Sequence, residues 1–410
     1  MAEKKYIPAI RFKGFNDEWL LTSIAEICTE TTGGGTPRTT ETKYWNGEIP
    51  WLQSSDLVEN QVSDVVFRKT ITKNGVNASA TKLIPANSIA IITRVGVGKL
   101  ALIPYAYSTS QDFLSLSKLK VDKWFSVYSV WKKIQSEIHA VQGTSIKGIT
   151  KEELLSKKIK LAVDKKEQTQ IGSYFQQLDK LISLQQAKFN KLNNLKKAML
   201  EKMFPKAGAD VPEIRFKSFE GAWEEKTLGN IFDDFKGTGL SKEKIGSQGK
   251  NKCILYGHLF TKFSEVISDI DSRTDYDEGV LSKKNDILMP SSTTTKGIDL
   301  AKASSLKESG VLLGGDIIIL RLKELGNSDF FAYYLTHGMN KKIEEVTQGT
   351  TIIHLYFSGL RDLGLKIPCP AEQSQIGAYF QNLDKLIILH QTELTKVNNL
   401  KKACLEKMFV

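Results

Sequence analysis

The segment Glu167-Gln-Thr-Gln-Ile-Gly-Ser-Tyr-Phe-Gln-Gln-Leu-Asp-Lys-Leu-Ile182 recurs as Glu372-Gln-Ser-Gln-Ile-Gly-Ala-Tyr-Phe-Gln-Asn-Leu-Asp-Lys-Leu-Ile387. The similarity continues to Phe204 and Phe409, and 27 of the 38 aligned positions are identical. A repeat of this length at one fixed offset indicates an internal duplication. The chain is therefore expected to contain two copies of one structural plan.

Two shorter repeats define that plan. Ile10-Arg-Phe-Lys-Gly-Phe15 returns as Ile214-Arg-Phe-Lys-Ser-Phe219, and Gln142-Gly-Thr-Ser-Ile146 returns as Gln348-Gly-Thr-Thr-Ile352. Their offsets of 204 and 206 bracket the offset of 205 in the long repeat. Each half thus has an entry segment, a variable part, an exit segment and the long repeat. Because the variable parts barely resemble each other, the plan predicts two modules of different specificity.

The long repeats have the apolar spacing of a coiled-coil helix. Apolar residues recur at steps of three and four, and such a stripe needs a partner to bury it. Without an internal proline, each helix can extend for about 38 residues, or roughly 57 Å. The simplest arrangement is an antiparallel pair, and the alternative is two independent helices that each dock on their own domain. The residues expected to form the helix-pair or partner interface are Ile171, Phe175, Leu178, Ile182, Leu192, Leu195, Ile376, Phe380, Leu383, Ile387, Val397 and Leu400.

The ends of the helices carry further signals. Asp164-Lys-Lys-Glu167 resembles a capping box, and Pro370 suits the first turn of the second helix. The chain ends in Lys407-Met-Phe-Val410, much as Lys202-Met-Phe-Pro205 precedes the second entry segment. The first entry segment thus looks like the continuation of the chain's own end. A duplicated molecule with a two-fold axis would bring its termini close together.

The variable parts read as mixed α/β structure. Apolar runs predict strands at Ser88–Thr93, Leu100–Pro104, Asp286–Pro290 and Asp316–Leu322, and helical patterns occupy 124–140 and 329–346. We therefore predict an α+β fold in which two mixed α/β domains are joined and separated by two long antiparallel coiled-coil helices, with pseudo-two-fold duplication. The expected divisions are a first domain at 1–163, a central helix at 164–205, a second domain at 206–369 and a C-terminal helix at 370–410.

Composition narrows the class of partner. The net charge is +11, the pI is about 9.2, and residues 1–165 carry 23 Lys/Arg against 16 Asp/Glu. A basic chain suits a polyanion such as nucleic acid, although many proteins are mildly basic without such a role. Four scattered cysteines read as free thiols of a reducing cytoplasm. The start has no apolar leader pattern, and no apolar run is long enough to cross a bilayer.

The sequence contains no complete catalytic motif of the common types. Gly96-Val-Gly-Lys99 resembles part of a phosphate loop, but Thr93 replaces its first glycine and Leu100 replaces its magnesium-binding hydroxyl. The five histidines have no metal-ligand spacing, and there is no G-x-S-x-G elbow, no N-P-P-[FY] or D-P-P-Y motif and no paired-acid nuclease motif. We therefore predict no catalytic residue and no metal site.

A loop-rich stretch from Gly33 to Trp51 mixes cationic, hydroxyl and aromatic side chains. Such a mixture can donate to phosphates and reach base edges. The alternative is that its glycines and prolines only form turns, that Tyr44, Trp45 and Trp51 are core residues, and that the cations are solvated charges. The candidate DNA-binding residues are Arg38, Thr39, Lys43, Tyr44, Arg94, Lys99, Gln111, Lys242, Lys244 and Lys296.

At these residues the chain resembles the specificity (S) subunit of type I restriction–modification systems. The resemblance rests on the E-Q-x-x-I-G opening of each helix, the G-T-x-I exit, Gly34-Gly-Thr-Pro37 with Ile49-Pro-Trp51, and the strand Ile91–Gly98 followed by Ser110-Gln-Asp-Phe113. It covers essentially the whole chain. The second variable part departs from the pattern.

In place of the G-G-T-P stretch, the second part has Lys236-Gly-Thr-Gly-Leu-Ser241, and in place of the Arg-Val-Gly run it has Pro290-Ser-Ser-Thr-Thr-Thr-Lys296. We interpret this departure as a different target specificity within the same role.

The resemblance implies a concrete role. Each variable part would be a target recognition domain that reads one half of a bipartite, asymmetric site in double-stranded DNA. The helix pair would set the unread gap and dock two adenine methyltransferase (M) subunits, and restriction (R) subunits would join through them. The chain would be a non-catalytic, cytoplasmic prokaryotic protein without a cofactor of its own or a membrane partner. S-adenosylmethionine, ATP and Mg would belong to the partner subunits.

A rival hypothesis is a coiled-coil scaffold that bridges two protein partners without touching DNA. Such a scaffold has no need of two unlike heads, whereas an asymmetric DNA target does. A self-contained methyltransferase or nuclease is a third class, but its motifs are missing from the sequence.

Overall fold

The computed structural model describes residues 6–140 and 148–409, which form two compact units. Unit 1 consists of the described residues of Met1–Gln186 and Thr392–Val410, and unit 2 consists of Ala187–Gln391. Each long helix therefore begins in one unit and ends in the other. The four-part division that we expect from the sequence stays a prediction. The two compact units divide the chain differently, since the two halves of each long helix belong to different units.

Unit 1 contains a mixed set of strands and helices before its share of the long helices. The strands are β1 Leu20–Ser23, β2 Cys28–Gly33, β3 Trp45–Leu52, β4 Lys69–Ile71, β5 Ser88–Ile92, β6 Leu100–Ile103, β7 Ser108–Thr109, β8 Phe113–Leu119 and β9 Lys158–Leu161. The helices are α1 Lys73–Asn77, α2 Lys123–Ala140, α3 Lys151–Ser156 and the long α4 Lys165–Lys202.

Unit 2 contains a second such set. Its strands are β10 Glu224–Thr227, β11 Phe232–Lys236, β12 Asn251–Ile254, β13 Val266–Ile267, β14 Arg273–Thr274, β15 Val280–Leu281, β16 Ile287–Pro290, β17 Ser292–Thr293, β18 Ser304–Leu306, β19 Leu312–Leu313, β20 Ile317–Leu322, β21 Ile353–His354 and β22 Gly364–Ile367. Its helices are α5 Leu228–Ile231, α6 Tyr256–Thr261, α7 Ser328–Tyr333, α8 Asn340–Glu345, α9 Phe357–Leu360 and the long α10 Pro370–Met408.

The two units share one topology although their variable sequences differ. The main sheet has the order β2-β8-β5-β6 in unit 1, and β11-β20-β16-β18 repeats it in unit 2, where β13 adds an edge strand. A second sheet, β4-β3-β7, corresponds to β14-β12-β19, with one antiparallel and one parallel pairing in each. An antiparallel ribbon, β1 with β9 or β10 with β22, connects the entry segment to the strand before the long helix. The duplication therefore extends through the variable parts.

Burial on both faces explains why the central strands are continuous apolar runs. Along β5, Ile89 and Ile91 join the core that also receives the long helices, while Ala90 and Ile92 face a smaller second core. A strand covered on both faces shows no polar alternation. The predicted strands at Ser88, Leu100, Asp286 and Asp316 are confirmed to within a residue or two at each end.

The helices form an antiparallel pair within each unit. In unit 1, Tyr174 Oη lies 3.5 Å from Cys404 Sγ, and five residues further along α4, Asp179 contacts Lys401. In unit 2, Lys196 contacts Asp384, and the rings of Phe204 and Phe380 are 5.9 Å apart. The sequence number thus rises along one helix as it falls along the other. Because each domain receives the end of the other repeat's helix, the alternative of two independently docked helices is wrong.

The described ends of the chain, residues 6 and 409, belong to segments that lie close together, as the duplication predicted. Ile10 N donates to Lys407 O at 3.0 Å, and Ile214 N donates to Lys202 O at the same distance. The first entry segment thus meets the end of α10 as the second entry segment meets the end of α4.

Two local predictions were wrong. Asp164 accepts a hydrogen bond from Lys166 N, but Glu167 pairs with Arg11 and does not complete a capping box. The helix expected over 329–346 is interrupted by a π-helical turn at Tyr334–Gly338. There the Cβ of any residue replacing Gly338 would lie 2.4 Å from the Tyr334 ring, so tight packing against the aromatic core accompanies the irregular turn.

Candidate nucleic-acid interface

The E-Q-x-x-I-G motif anchors the globular part of each unit to the long helix that begins there. Arg11 donates to the Glu167 carboxylate through Nε and Nη2, at 2.6 and 2.8 Å, and Arg215 pairs with Glu372 at 2.8 Å through both atoms. Both carboxylates are buried, and each hydrogen-bonded pair raises the pKa of its arginine. The buried glutamate therefore holds the entry segment against the start of the helix.

The glutamine and glycine of the motif contact the segment at which a helix of the globular domain begins. Gln168 accepts a hydrogen bond from Asp122 N, and Gln373 accepts one from Asn327 N, each residue lying just before a domain helix. A Cβ on Gly172 would lie 2.7 Å from Phe125 N. Only glycine allows the domain helix to approach this closely. The repeated motif is therefore a structural joint.

Three loops of unit 1 meet at one end of its sheets, and we call them loop cluster 1: residues 33–45, 93–99 and 110–112. Gly35 N donates to Thr109 O at 2.9 Å, and Thr36 Oγ1 donates to Gln111 Oε1 at 2.6 Å. Thr93 N donates to Asp112 O at 2.7 Å. These contacts bring the glycine turn, the end of β5 and the segment after β7 together.

The turn from Thr93 to Lys99 depends on glycine. Gly96 and Gly98 have φ angles of +89° and +106°, which side chains with a Cβ rarely adopt. Gln135 Nε2 on α2 donates to Gly98 O at 2.7 Å and so anchors the turn. Arg94 is exposed on this turn, and Lys99 is partly buried at its end.

The remaining candidates of unit 1 lie along the loop between β2 and β3. Arg38, Thr39 and Lys43 are exposed, and Tyr44 is partly buried against Gly75. Lys43 Nζ lies 3.5 Å from the Glu41 carboxylate, which partly offsets the positive charge of this lysine. Gln111 is exposed beside Thr36.

The nearby tryptophans have structural roles. Trp51 is buried and donates to Gly35 O at 3.0 Å, and partly buried Trp45 donates to Arg38 O at 3.1 Å. Their rings meet edge to face at 5.0 Å. The core interpretation is therefore correct for Trp51, while Trp45 braces the loop that carries Arg38.

Unit 2 has an equivalent loop cluster 2: residues 236–244, 291–296 and 314–316. Thr238 N donates to Leu313 O at 3.1 Å, and Ser291 N donates to Asp316 O at 2.8 Å, which repeats the two backbone contacts of loop cluster 1. A Cβ on Gly237 would lie 1.9 Å from Gly314 O, as one on Gly34 would from Ser110 O. Lys236-Gly-Thr-Gly-Leu-Ser241 is thus the structural counterpart of the G-G-T-P turn.

The three lysine candidates of unit 2 are exposed but dispersed. Lys242 lines a cleft beside Tyr256 and Asp316. Lys244 Nζ lies over the Tyr276 ring, 4.2 Å from its centroid, and Lys296 precedes the short helix that begins at Gly297. Loop cluster 2 therefore shares the backbone frame of loop cluster 1 and carries a different distribution of charge.

An adjoining cleft of about 850 Å³ is lined by residues that were not among the candidate DNA-binding residues. Hydroxyl side chains of 292–295 line one part of it, and Tyr256, Asn340, Ile352 and His354 line others. The exit segment from Gln348 forms part of this wall, since β21 pairs with β17. The sequence signal for this wall is the Ile353-His-Leu-Tyr356 run, which follows the exit motif directly. The first exit segment, Gln142–Ile146, lies outside the described residues.

Helix-interface candidates divide by burial. Within their own units, Ile171, Phe175, Leu178, Ile376, Phe380, Leu383 and Val397 are buried, and Ile182, Leu192 and Ile387 are partly buried. Leu195 and Leu400, which are equivalent by the offset of 205, are 38% and 47% exposed and lie mostly outside the packed seam. They share this exposure with four further leucines of the long helices, Leu181, Leu184, Leu386 and Leu389.

Other classes of site are not apparent in the described part of the chain. Within residues 6–140 and 148–409, no three His, Cys, Asp or Glu side chains are grouped as metal ligands. Among the helices of those same residues, none combines the length and apolar character needed to cross a membrane. The four cysteines are free thiols.

Comparisons with known proteins agree with the geometry. The family model for the type I restriction modification DNA specificity domain matches residues 16–194 and again 220–399. The type I restriction enzyme MjaIX specificity subunit of Methanocaldococcus jannaschii is 24% identical over 421 residues, covering 95% of this chain and 92% of that protein. The type I restriction enzyme EcoR124I/EcoR124II specificity subunit of Escherichia coli is 44% identical over 66 residues, 16% of each chain.

A solved structure extends the similarity to the fold. The crystal structure of the S subunit of a type I restriction–modification system from M. genitalium covers 98% of this chain and 99% of its own, with a TM-score of 0.62 and 18% identity. Two matches of one family model, one on each repeat, account for most of the chain. The chain belongs to the family of type I restriction–modification DNA specificity subunits, which are the non-catalytic DNA-recognition components of their complexes.

Proposed function

We propose that each unit reads one half of a bipartite, asymmetric sequence in double-stranded DNA. The observation that carries this proposal is the pair of loop clusters, built on the same backbone contacts but presenting different side chains. Loop cluster 1 presents Arg94 where loop cluster 2 presents the hydroxyls of 293–295. One backbone frame with two sets of exposed polar groups suits two unlike half-sites.

Both clusters have the chemistry for contacts with DNA. Exposed Arg38, Lys43 and Arg94 can bind phosphate, and an arginine can also donate two hydrogen bonds to guanine O6 and N7. The hydroxyl-lined cleft of unit 2 offers groups that donate and accept, with fewer cations. The Thr39, Tyr44, Lys99, Gln111, Lys242, Lys244 and Lys296 assignments stay part of this proposal.

The helix pair, in this proposal, holds the unread gap between the half-sites. This spacer role is supported by the continuity of α4 and α10, which pass from one unit to the other over 38 and 39 residues. The motif joints at Glu167 and Glu372 connect each recognition unit to its helix. Helices fixed in this way suit a spacer whose length is set by the number of turns.

Lengthening both helices tests the spacer role. We would insert one matched turn after Gln186 and another after Gln391, where the two units divide, and not near Lys196, whose ammonium contacts Asp384. Each turn adds about 5.4 Å, or one to two base pairs of gap. Methylated sites should keep both half-sites and lengthen the gap. Altered half-sites would show that the helices themselves read DNA.

The helix pair is also proposed to dock two copies of an adenine methyltransferase (M) subunit. Exposed leucines occur in two equivalent sets: Leu181, Leu184 and Leu400 belong to unit 1, and Leu386, Leu389 and Leu195 belong to unit 2. Exposed apolar side chains that cluster on a surface are typical of protein interfaces. Two equivalent sets favour two copies of the same partner.

The rest of the assembly follows from this arrangement. Restriction (R) subunits would join through the M subunits in the prokaryotic cytoplasm. S-adenosylmethionine would be bound by the M subunits, and ATP and Mg would be bound by partner subunits, with no cofactor on this chain. The purified chain alone is therefore expected not to methylate DNA, and specific methylation should occur only after the M subunit is added.

A further inference from the structure

One buried carboxylate in unit 1 connects three helices. Asp179 of α4 accepts a hydrogen bond from Tyr128 Oη of α2 at 2.6 Å, and its other oxygen lies 2.5 Å from Lys401 Nζ of α10. Asp179 and Lys401 are each 8% exposed. The recognition domain, the start of one long helix and the end of the other therefore meet at a single side chain.

The same triad recurs in unit 2. Tyr333 Oη donates to Asp384 Oδ2 at 2.5 Å, and Lys196 Nζ lies 2.7 Å from Asp384 Oδ1. Each pair of equivalent residues differs by 205 in sequence number, although Lys401 and Lys196 belong to the opposite helix from their aspartate. The duplication has therefore preserved the contact across chain segments that are remote in sequence.

The chemistry of the triad gives it directional character. Hydrogen bonds to an ionised group are short and depend on angle, whereas apolar contacts tolerate sliding and rotation. Burial and, to a smaller extent, the neighbouring aspartate raise the pKa of Tyr128 and Tyr333. Each hydroxyl therefore keeps its proton and remains a hydrogen-bond donor. Two donors from different elements thus define the direction of one carboxylate.

We infer that each Tyr–Asp–Lys triad is a positioning device that fixes the orientation of its recognition domain on the helix pair, and thereby the stringency with which one gap length is accepted. The inference rests on the proposed function, because a gap has meaning only for a bipartite site. One base pair more in the gap displaces a half-site by about 3.4 Å and rotates it by roughly 35°. A domain held by directional contacts follows such a change poorly.

A stabilising role alone is a weaker explanation. Replacing a buried ion pair with uncharged side chains of similar volume is often neutral for stability, or even favourable. Stability and positioning therefore separate experimentally, provided that both charges are removed together. Removing only one would leave the other buried without a partner.

The test uses the full chain in complex with its M subunit. The double variant Asp179→Asn/Lys401→Met removes both charges of the first triad, and Tyr128→Phe removes its hydroxyl without a change of ring shape. Glu393→Gln/Lys396→Met is the matched control, because it removes an exposed pair on α10 with an N–O distance of 3.2 Å. Binding is measured on DNA sites whose gap is native, one base pair shorter or one base pair longer.

The inference predicts that the double variant discriminates between native and altered gaps less well by a factor on the order of five, with both half-sites and the melting temperature nearly unchanged. Tyr128→Phe should show a smaller loss in the same direction, and the control should match the unmodified chain. Unchanged gap discrimination in folded double and single variants would overturn the inference but leave the proposed function intact. If the unmodified complex had no preference for a bipartite site, both would fall.

Discussion

The His337 imidazole lies against the Glu265 carboxylate, with 2.6 Å between Nε2 and Oε1, and the other carboxylate oxygen is 3.4 Å from Lys196 Nζ. This contact extends the second triad, because Lys196 also pairs with Asp384. Lys132 occupies the position 205 residues before His337, so the two halves differ here in sequence. The stability of unit 2 should therefore depend on pH through a contact that involves His337, which has no counterpart at Lys132.

Lowering the pH should destabilise unit 2, because Glu265 becomes protonated. Burial by itself raises the pKa of this carboxyl, but the hydrogen bond from His337 and the charge of Lys196 outweigh it and lower the pKa from 4.5 to about 2. A depressed folded-state pKa contributes stability above pH 4.5 that is lost as the pH falls toward 2. The contribution at neutral pH is on the order of 3 kcal/mol.

Hydrogen exchange measured by mass spectrometry checks this expectation. After correction for intrinsic exchange rates, amides of β16 and β20 should lose protection between pH 5 and pH 2.5, and Glu265→Gln should flatten that loss. Amides of β5 and β8 serve as the internal reference in unit 1. An identical pH profile for the Glu265→Gln variant would show that this carboxyl does not titrate as described.

The glycine turn of loop cluster 1 should tolerate a methyl group at one position and not at the next. A Cβ on Gly34 would lie 1.9 Å from Ser110 O, whereas one on Gly33 would have nothing within 4 Å. Gly34→Ala should therefore destabilise the turn by about 1–3 kcal/mol and weaken recognition of one half-site. Gly33→Ala is the matched control. Equal DNA binding by both variants would remove the turn from the interface.

Arg94 should contribute directly to DNA binding. If it reads a guanine, Arg94→Ala should cost about 1–3 kcal/mol and relax specificity at one position. If it binds phosphate, the variant should weaken binding on all sequences and make the salt dependence shallower by about one unit. Lys118→Ala, outside loop cluster 1, should do neither. Alanine at Arg38, Lys43, Arg94 and Lys99 together, with affinity and salt slope unchanged, would refute this placement of the DNA face.

The exposed leucines should control how many M subunits bind. Leu181→Ser/Leu184→Ser should lower the complex from two M subunits to one, because the equivalent set in unit 2 is unaltered. Leu386→Ser/Leu389→Ser should do the same for the other copy, and the four substitutions together should abolish assembly. Native mass spectrometry counts the subunits. Retention of two M subunits by the fourfold variant would place the docking surface elsewhere.

Sequence and structure agree best where a pattern repeats. The stripe from Ile171 to Leu178 predicted a buried helix face because periodicity reflects burial directly. The role of Glu167 was misread, since its partner Arg11 lies 156 residues away and local spacing cannot reveal it. The Gly237 turn was likewise hidden, because its requirement for glycine comes from the facing Gly314 carbonyl.

The side chains that we propose to face DNA were the least predictable part. Exposure of Arg94 and Lys43 follows from loops whose convergence depends on long-range backbone contacts, such as that between Thr93 and Asp112. No spacing rule encodes which exposed cation meets a base. The cleft beside Tyr256 and His354 arises from segments about 100 residues apart, so it became visible only in the folded chain.

The central claim is that each unit reads one half of a split sequence. It is tested most directly by mapping methylated adenines in DNA exposed to this chain with its M subunit, before and after residues 20–163 are exchanged for those of a relative. The account predicts a two-part motif in which the exchange alters one half and leaves the other half and the gap unchanged. A continuous motif, or a change in both halves, would contradict it.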